Sequence, residues 1–288
     1  MRFAISTAFT DPAEVLELAR AADQLGYHAL SVPDHVVNLE TLRTPYPYTA
    51  DGERRWPPFT PWLDPWVTIG AMAAVTERLR FFTGVYVLPM RNPLAVAKSI
   101  GTAAVLSGNR VALGIGVGWC EEEFELMEQP FGRRGARTDE MLELLATLWQ
   151  PGWIEHHGTA YDIPRLEMSP APTEPIPVFV GGTSDVALRR AARHDGWISD
   201  YLTIDEAVEV RRRLDELRAA NGRADRPFSM IASVTDAVTV DDFARAGEAG
   251  VTDILTMPWV YYSGFDADLD QKIEGMSRFA ADVIDPLA

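Results

Sequence analysis

Residues 2–32, RFAISTAFTDPAEVLELARAADQLGYHALSV, decide the fold. Arg2–Phe9 reads as an apolar strand. Asp11-Pro12-Ala13-Glu14 follows with the chemistry of a helix start: an N-cap acid, a proline at the first helical position, and a second acid placed like that of a capping box. Val15, Leu18, Ala19, Ala22 and Leu25 then recur at helical spacing, which makes one face apolar, and Gly26 supplies the stop. Ala29–Val32 is a second apolar run, continuous as a parallel strand covered on both sides should be. One βα unit is complete here and the next has begun.

Working outward, the unit repeats. Asp64-Pro65 and Asn92-Pro93 open helices; Leu79–Leu88 and Arg110–Val117 read as strands three and four, and a helix is expected around Thr138–Trp149. Ile176–Val180, Trp197–Ser199, Phe228–Val234 and Asp253–Met257 supply strands five to eight. Between and after them, helices are expected over Ser184–His194, from the Thr203-x-x-Glu206 box to Asn221-Gly222, over Val240–Ala249 and over Asp268–Ile284. Gly196-Trp197 and Gly250-Val251 repeat the Gly26-Tyr27 device, a glycine helix stop just before a strand. Eight such units predict a closed (β/α)8 TIM barrel, a single domain over 1–288, with an open doubly wound sheet as the competing arrangement.

Two stretches break the period. Asn38–Leu63 carries Pro45, Pro47, Pro57, Pro58 and Pro61 among Tyr46, Tyr48, Trp56, Phe59 and Trp62. It is an inserted loop after strand two, on the C-terminal face where barrel active sites lie, and reads as a lid or substrate wall; a structural or dimer-contact excursion is the alternative. Pro151–Pro175 is an irregular excursion before strand five. There Trp153–His157 and Ala160–Ile163 flank Gly158-Thr159 as the arms of a small hairpin.

Composition excludes several classes. Twenty-six Lys and Arg against 42 Asp and Glu give a net charge of −16, the wrong sign for nucleic acid or an anionic membrane. The N-terminus shows no signal-peptide pattern, no run of 18 apolar residues exists to span a membrane, and the lone Cys120 precludes an internal disulfide or a multi-cysteine metal site. A cytoplasmic location and a small-molecule substrate are expected, with no metal.

Of the 5 histidines, only His35 follows the C-terminal end of a strand, next to Asp34. A histidine there suits proton transfer near neutral pH, with a structural hydrogen bond as the plain alternative. His28 begins strand two at the opposite end, His194 closes a helix, and the adjacent His156 and His157 should point apart in the hairpin. Gly114-Ile115-Gly116-Val117-Gly118-Trp119 ends strand four but fails the dinucleotide pattern at its third glycine, and no helix opens directly on it. It reads as room for a flat ligand against backbone, with Trp119 either stacking on that ligand or plugging the barrel top. Glu121-Glu122-Glu123 reads as a solvated run, Cys120 as packing, and Arg133, Arg134 and Arg137 as partners of surface carboxylates. Gly181-Gly182-Thr183 runs from strand five into a helix and can serve as a backbone anion site or as a simple turn.

Taken in order, Pro33-Asp34-His35, Thr83–Pro89, Arg91–Lys98, Asn109-Arg110-Val111, Gly114–Trp119, Pro177–Gly182 and Asp195-Gly196-Trp197 resemble the luciferase-like monooxygenase superfamily, in particular its branch using the deazaflavin coenzyme F420. The resemblance spans nearly the whole chain. It implies a non-prolyl cis peptide at Gly84-Val85, forming a bulge behind the deazaflavin. It also implies contacts from Asp34 and His35 to the ring edge, with Asp34 orienting His35. Gly116, Val117, Gly118 and Trp119 would line the cofactor, as would Gly181, Gly182 and Thr183 at its phosphate. Some deazaflavin dehydrogenases of this kind carry a catalytic glutamate where this chain has Trp119, which speaks against a sugar-phosphate dehydrogenase role. The implied activity is hydride transfer between C5 of F420 and a small, largely apolar organic substrate, by a homodimer. A reduced-FMN monooxygenase on the same barrel is the alternative, and a non-redox binding protein or isomerase the remote one.

Overall fold

The computed structural model describes residues 1–287. In chain order its first half holds β1 (Arg2–Ser6), α1 (Val15–Gln24), β2 (Ala29–Val32), α2 (Pro65–Ala73), β3 (Arg80–Thr83), β4 (Tyr86–Val87), α3 (Pro93–Leu106), β5 (Val111–Gly116), α4 (Glu121–Leu126) and α5 (Arg134–Leu148). The second half holds β6 (Ile154–His157), β7 (Asp162–Leu166), β8 (Val178–Gly181), α6 (Asp185–Ala191), β9 (Gly196–Leu202), α7 (Ile204–Ala220), β10 (Ser229–Val234), α8 (Val240–Glu248), β11 (Asp253–Thr256), α9 (Val260–Ser263) and α10 (Leu269–Phe279).

The main sheet runs β3-β2-β1-β11-β10-β9-β8-β5-β4, and a further β3–β5 pairing closes it into a barrel. Its ladders are parallel throughout, from Arg2 beside Asp253 to Phe81 beside Val111. This is the expected (β/α)8 barrel, with β3 and β4 together forming the third stave. Inside the barrel Ala4, Ala29, Phe82, Ala112, Ile198 and Ile231 pack together, while a larger apolar layer lies between the strands and the outer helices. Among the described residues no helix is long and apolar enough to cross a membrane.

Local signals act where the sequence places them. Asp64 accepts from the backbone N–H groups of Trp66 and Val67, Asn92 from those of Leu94 and Ala95, and Thr203 with Glu206 closes a capping box. The β6–β7 antiparallel hairpin forms around Gly158, with His157 hydrogen-bonded to Asp162 and His156 beside Glu140. Gly26 and Gly250 take left-handed φ of 80° and 96°, as helix stops do.

Three expectations are corrected. Helix α1 begins at Val15, because Asp11 spends its carboxylate on the N–H of Ala13 in a preceding turn and Glu14 caps without its side chain. Gly196 is the first residue of β9, not a helix stop. A Cβ on it would lie 2.6 Å from a Phe179 ring carbon and 2.7 Å from the Ser229 carbonyl, so close packing between strands requires glycine there. The last helix runs as α10 only to Phe279 and loosens into a π-type turn over Ala280–Ile284.

Candidate active site

The third stave breaks at its C-terminal end. Gly84-Val85 is a cis peptide between β3 and β4, and Gly84 N–H donates to the Val32 carbonyl at 2.8 Å. Thr83 ties the break to β5: its hydroxyl donates to the Gly114 carbonyl at 2.7 Å and accepts from the Gly114 N–H at 3.1 Å. Val85 then projects between β5 and β8. A Cβ on Gly116 would meet Val85 Cγ2 at 2.7 Å, and one on Gly181 would meet Val85 Cγ1 at 2.7 Å. A Cβ on Gly114 would lie 1.9 Å from the Thr83 carbonyl, and one on Gly118 would lie 2.6 Å from both Val87 and Phe124.

The strand-four glycines thus make room for the chain's own bulge and its neighbours. Val85, half-buried at the barrel mouth, is the surface they present. Gly116→Ala is expected to force Val85 or the backbone aside and to cost about 1–3 kcal/mol, the usual range for overpacking. A urea midpoint equal to that of the unaltered chain would contradict this.

His35 sits largely buried at the end of β2, and Nδ1 lies 3.0 Å from Glu123 Oε2. The other Glu123 oxygen accepts from the Val36 N–H at 2.9 Å. Burial alone would raise the Glu123 carboxyl, but His35 and the backbone N–H groups of Val36 and Val37 hold it below the usual carboxylate range. An ionised carboxylate only accepts, so Nδ1 carries the hydrogen and Nε2 is left as the working nitrogen. Among the described residues Nε2 makes no protein hydrogen bond.

The acidic run is corrected from a solvated face. Glu122 and Glu123 are buried on the unexpected short helix α4, which opens just after Trp119 and Cys120. Glu122 accepts from the backbone N–H groups of Arg43 and Thr44 and so pins the long loop. Burial opposes its ionisation, yet those donors bring it down to about 2. Only Glu121 faces solvent. Cys120 is buried with its thiol pushed up to about 11, as suits packing rather than reactivity.

Asp34 does not orient His35, contrary to expectation. Its carboxylate takes both Arg91 guanidinium nitrogens, at 2.6 and 2.8 Å, and the Val87 N–H at 2.8 Å. Burial holds its carboxyl above the usual carboxylate range, with Arg91 and the Val87 N–H offsetting only part of that rise. Arg91 in turn lies over the Tyr86 ring, with 4.2 Å to the centroid. Asp34 therefore ties the end of β2 to β4, on the far side of the bulge from Gly116.

The loop over residues 38–63 roofs the site. Trp56 and Trp62 stand 4.9 Å from the imidazole, centroid to centroid, and Trp119 stands 6.0 Å away. Tyr46 meets Trp119 edge-on at 5.1 Å, so Trp119 belongs to the wall beside His35. A bidentate ion pair at 2.8 Å from Arg55 to Asp200 holds the loop to β9. A register shift between Ile231 and Ser233 in the β9–β10 ladder accompanies Asp200 there. Trp62 Nε1 is buried and has no partner among the described residues, an open donor within this aromatic enclosure.

At β8, Gly182 takes φ 108° and its carbonyl accepts from Trp197 Nε1 at 2.8 Å, while Thr183 is exposed beside the Ser184 cap of α6. Arg134 donates to the Gly118 carbonyl at 2.9 Å and Arg137 to those of Gly132 and Pro89. Arg134 braces the β5–α4 loop and Arg137 ties the α4–α5 connection to the segment after β4, which corrects their expected pairing with surface carboxylates.

A parallel barrel with a broken third stave, a carboxylate-held histidine at its mouth and an aromatic roof defines a class of oxidoreductase scaffolds, and the comparisons agree. The chain belongs to the luciferase-like monooxygenase family, whose model matches residues 1–269. An uncharacterized protein of Mycobacterium tuberculosis is 42% identical over 286 residues, 99% of each chain. The F420-dependent glucose-6-phosphate dehydrogenase of Segniliparus rotundus is 32% identical over 193 residues, 65% of this chain and 53% of that one. Among solved structures, the coenzyme F420-dependent tetrahydromethanopterin reductase of Methanopyrus kandleri superposes with TM-score 0.77 at 15% identity, over 100% of this chain and 99% of that one.

Proposed function

We propose that this chain is a coenzyme F420-dependent oxidoreductase acting on a small, largely apolar organic substrate. The observation that carries the proposal is the pairing of two features at one barrel mouth: Val85 seated on its glycine bed, and His35 held by Glu123 under an aromatic roof. When bound, the deazaflavin supplies the hydride chemistry at C5; the protein supplies position, a dry wall and a proton site.

The residues present fit a flat, polar-edged ring. Val85 and the tryptophans offer apolar contact, and the unpartnered Trp62 Nε1 is a buried donor awaiting an acceptor. His35 Nε2 takes or gives the proton that accompanies reduction or oxidation of the substrate. Glu123 fixes the ring and balances the charge when His35 is protonated. Trp56, Trp62 and Trp119 exclude water and favour an apolar substrate.

Reduced F420 offered with a panel of activated enones and quinones tests this reading. Return of the oxidised deazaflavin colour with at least one acceptor, dependent on the protein, is the expected result. Oxygen consumption with reduced FMN, and no turnover of F420 with any acceptor, would replace it by the monooxygenase reading.

A further inference from the structure

The opposite end of the barrel holds a cavity of about 740 Å³. It opens where the strands begin: Arg2 and Arg80 start β1 and β3, Ser229 and Asp253 start β10 and β11, and His28 precedes β2. Its inner wall is the barrel interior. Ala29 and Ala112, both small, leave space beneath Phe82, Phe179 and Ile231. The volume falls within the range of ligand sites, on a face that in barrels ordinarily serves stability alone.

The rim is charged against the sign of the whole protein. Arg2, Arg80, Arg223 and Arg226 face Asp195 and Asp253 there, a positive excess on a chain of net charge −16. Both carboxylates are already spoken for. Arg2 pairs with Asp253 at 2.6 Å, and Arg223 with Asp195 at 3.2 Å. Arg80 and the exposed Arg226 remain without a carboxylate partner among the described residues. Among the described residues Arg226 makes no side-chain hydrogen bond or ion pair, Arg223 Nε is buried without a partner, and Arg80 has a single 3.3 Å bond to the Asn109 carbonyl. Burial and the guanidinium groups of Arg2 and Arg80 hold His28 below its ordinary range, so it adds no charge at neutral pH but keeps an imidazole to hydrogen-bond.

A structural arginine on the same face shows the contrast. Arg110 donates to the carbonyls of Ala73, Thr76, Leu79 and Ser107 and to the Thr76 hydroxyl, which consumes its donors in tying helix α2 to the strand starts. Arg226 has no such bonds, and Arg223 commits one nitrogen to the His194 carbonyl and Asp195 and leaves its Nε free.

From this arrangement we infer that the N-terminal mouth is a second small-molecule site, built for a monocarboxylate with an apolar body. The carboxylate engages Arg226 and Arg223 at the rim, and the body enters the space over Ala29 and Ala112. Guanidinium pairs well with a planar carboxylate, and an acid with no apolar body would leave the interior wall unfilled. The inference is independent of the reaction at the other end of the barrel.

Calorimetric titration of the full chain with 2-naphthoate, and with the neutral 2-naphthamide, tests it. One site is expected for the acid, with the amide about tenfold weaker or more, a difference of 1.4 kcal/mol. Arg226→Glu should lower the acid's affinity by about tenfold or more. Because the Arg226 side chain makes no hydrogen bond or ion pair among the described residues, that variant should keep the unaltered melting temperature. Trp119→Ala, at the other mouth, should leave the acid's affinity unchanged. Absence of binding up to roughly 10 mM, weaker than any specific site discussed here, would overturn the inference. So would equal affinity for acid and amide, or binding lost in Trp119→Ala and kept in Arg226→Glu.

Discussion

His35→Ala should lower turnover by roughly 10²–10⁴-fold, the contribution of a positioned general acid or base, while F420 affinity and thermal stability stay near those of the unaltered chain. Three observations support a loss confined to the chemistry. The imidazole keeps 14% of its surface exposed at the barrel mouth, so water can enter the space it leaves. Its one protein hydrogen bond among the described residues is to Glu123, which keeps the Val36 N–H as a partner when the ring is gone. Its Nε2 makes no hydrogen bond among the described residues, as a free proton site must. Glu123 is then a positioning residue. Glu123→Gln keeps the shape but removes the charge that fixes the tautomer, and it should lower kcat rather than raise KM. Combined with His35→Ala it should add nothing, because two residues that act as one unit are not additive. Turnover within about threefold of the unaltered chain in His35→Ala, far below the expected effect, would make the histidine structural.

Asp34→Ala is expected to be the most destabilising single change at the site, by about 3–5 kcal/mol, because it leaves Arg91 buried without its counter-charge. The side chains are 1% and 13% exposed, so water cannot take over. The same change strips the Val87 N–H of its acceptor next to the bulge. For a chain of this length the melting temperature should fall by roughly 10 °C. Asp34→Ala combined with Arg91→Leu should recover part of the loss, since removing both charges is less costly than stranding one. A fall of under about 1 kcal/mol, the range of an exposed ion pair, would show that the pair is solvent-screened and does not hold β2 to β4.

What the sequence made legible follows the range of the interaction. Asp64-Pro65, Asn92-Pro93 and the Thr203–Glu206 box act within one helical turn, so their residue types alone announce them. The barrel was readable because the same strand–helix grammar recurs eight times, and the Gly84-Val85 break because the ordered motifs resemble a family that has one. The partners within the site were not readable. Glu123 lies 88 residues from His35, Arg91 lies 57 from Asp34, and Asp200 lies 145 from Arg55. Only closure of the barrel brings them together. Adjacency in sequence suggested that Asp34 serves His35, but neighbouring residues at a strand end point apart, and each found its own partner. The glycines show the same limit. A missing side chain at Gly116 and Gly181 announces a close approach, yet only the fold reveals that Val85 makes it.

The central claim is that Val85, His35 and the aromatic roof form a deazaflavin site, and direct titration of the apoprotein with F420 and with FMN tests it most plainly. F420 is predicted to bind at least a hundredfold more tightly, a margin of about 2.7 kcal/mol, with Trp62→Phe weakening F420 by loss of the Nε1 donor. A hundredfold preference for FMN, or no saturable binding of either, would contradict the account.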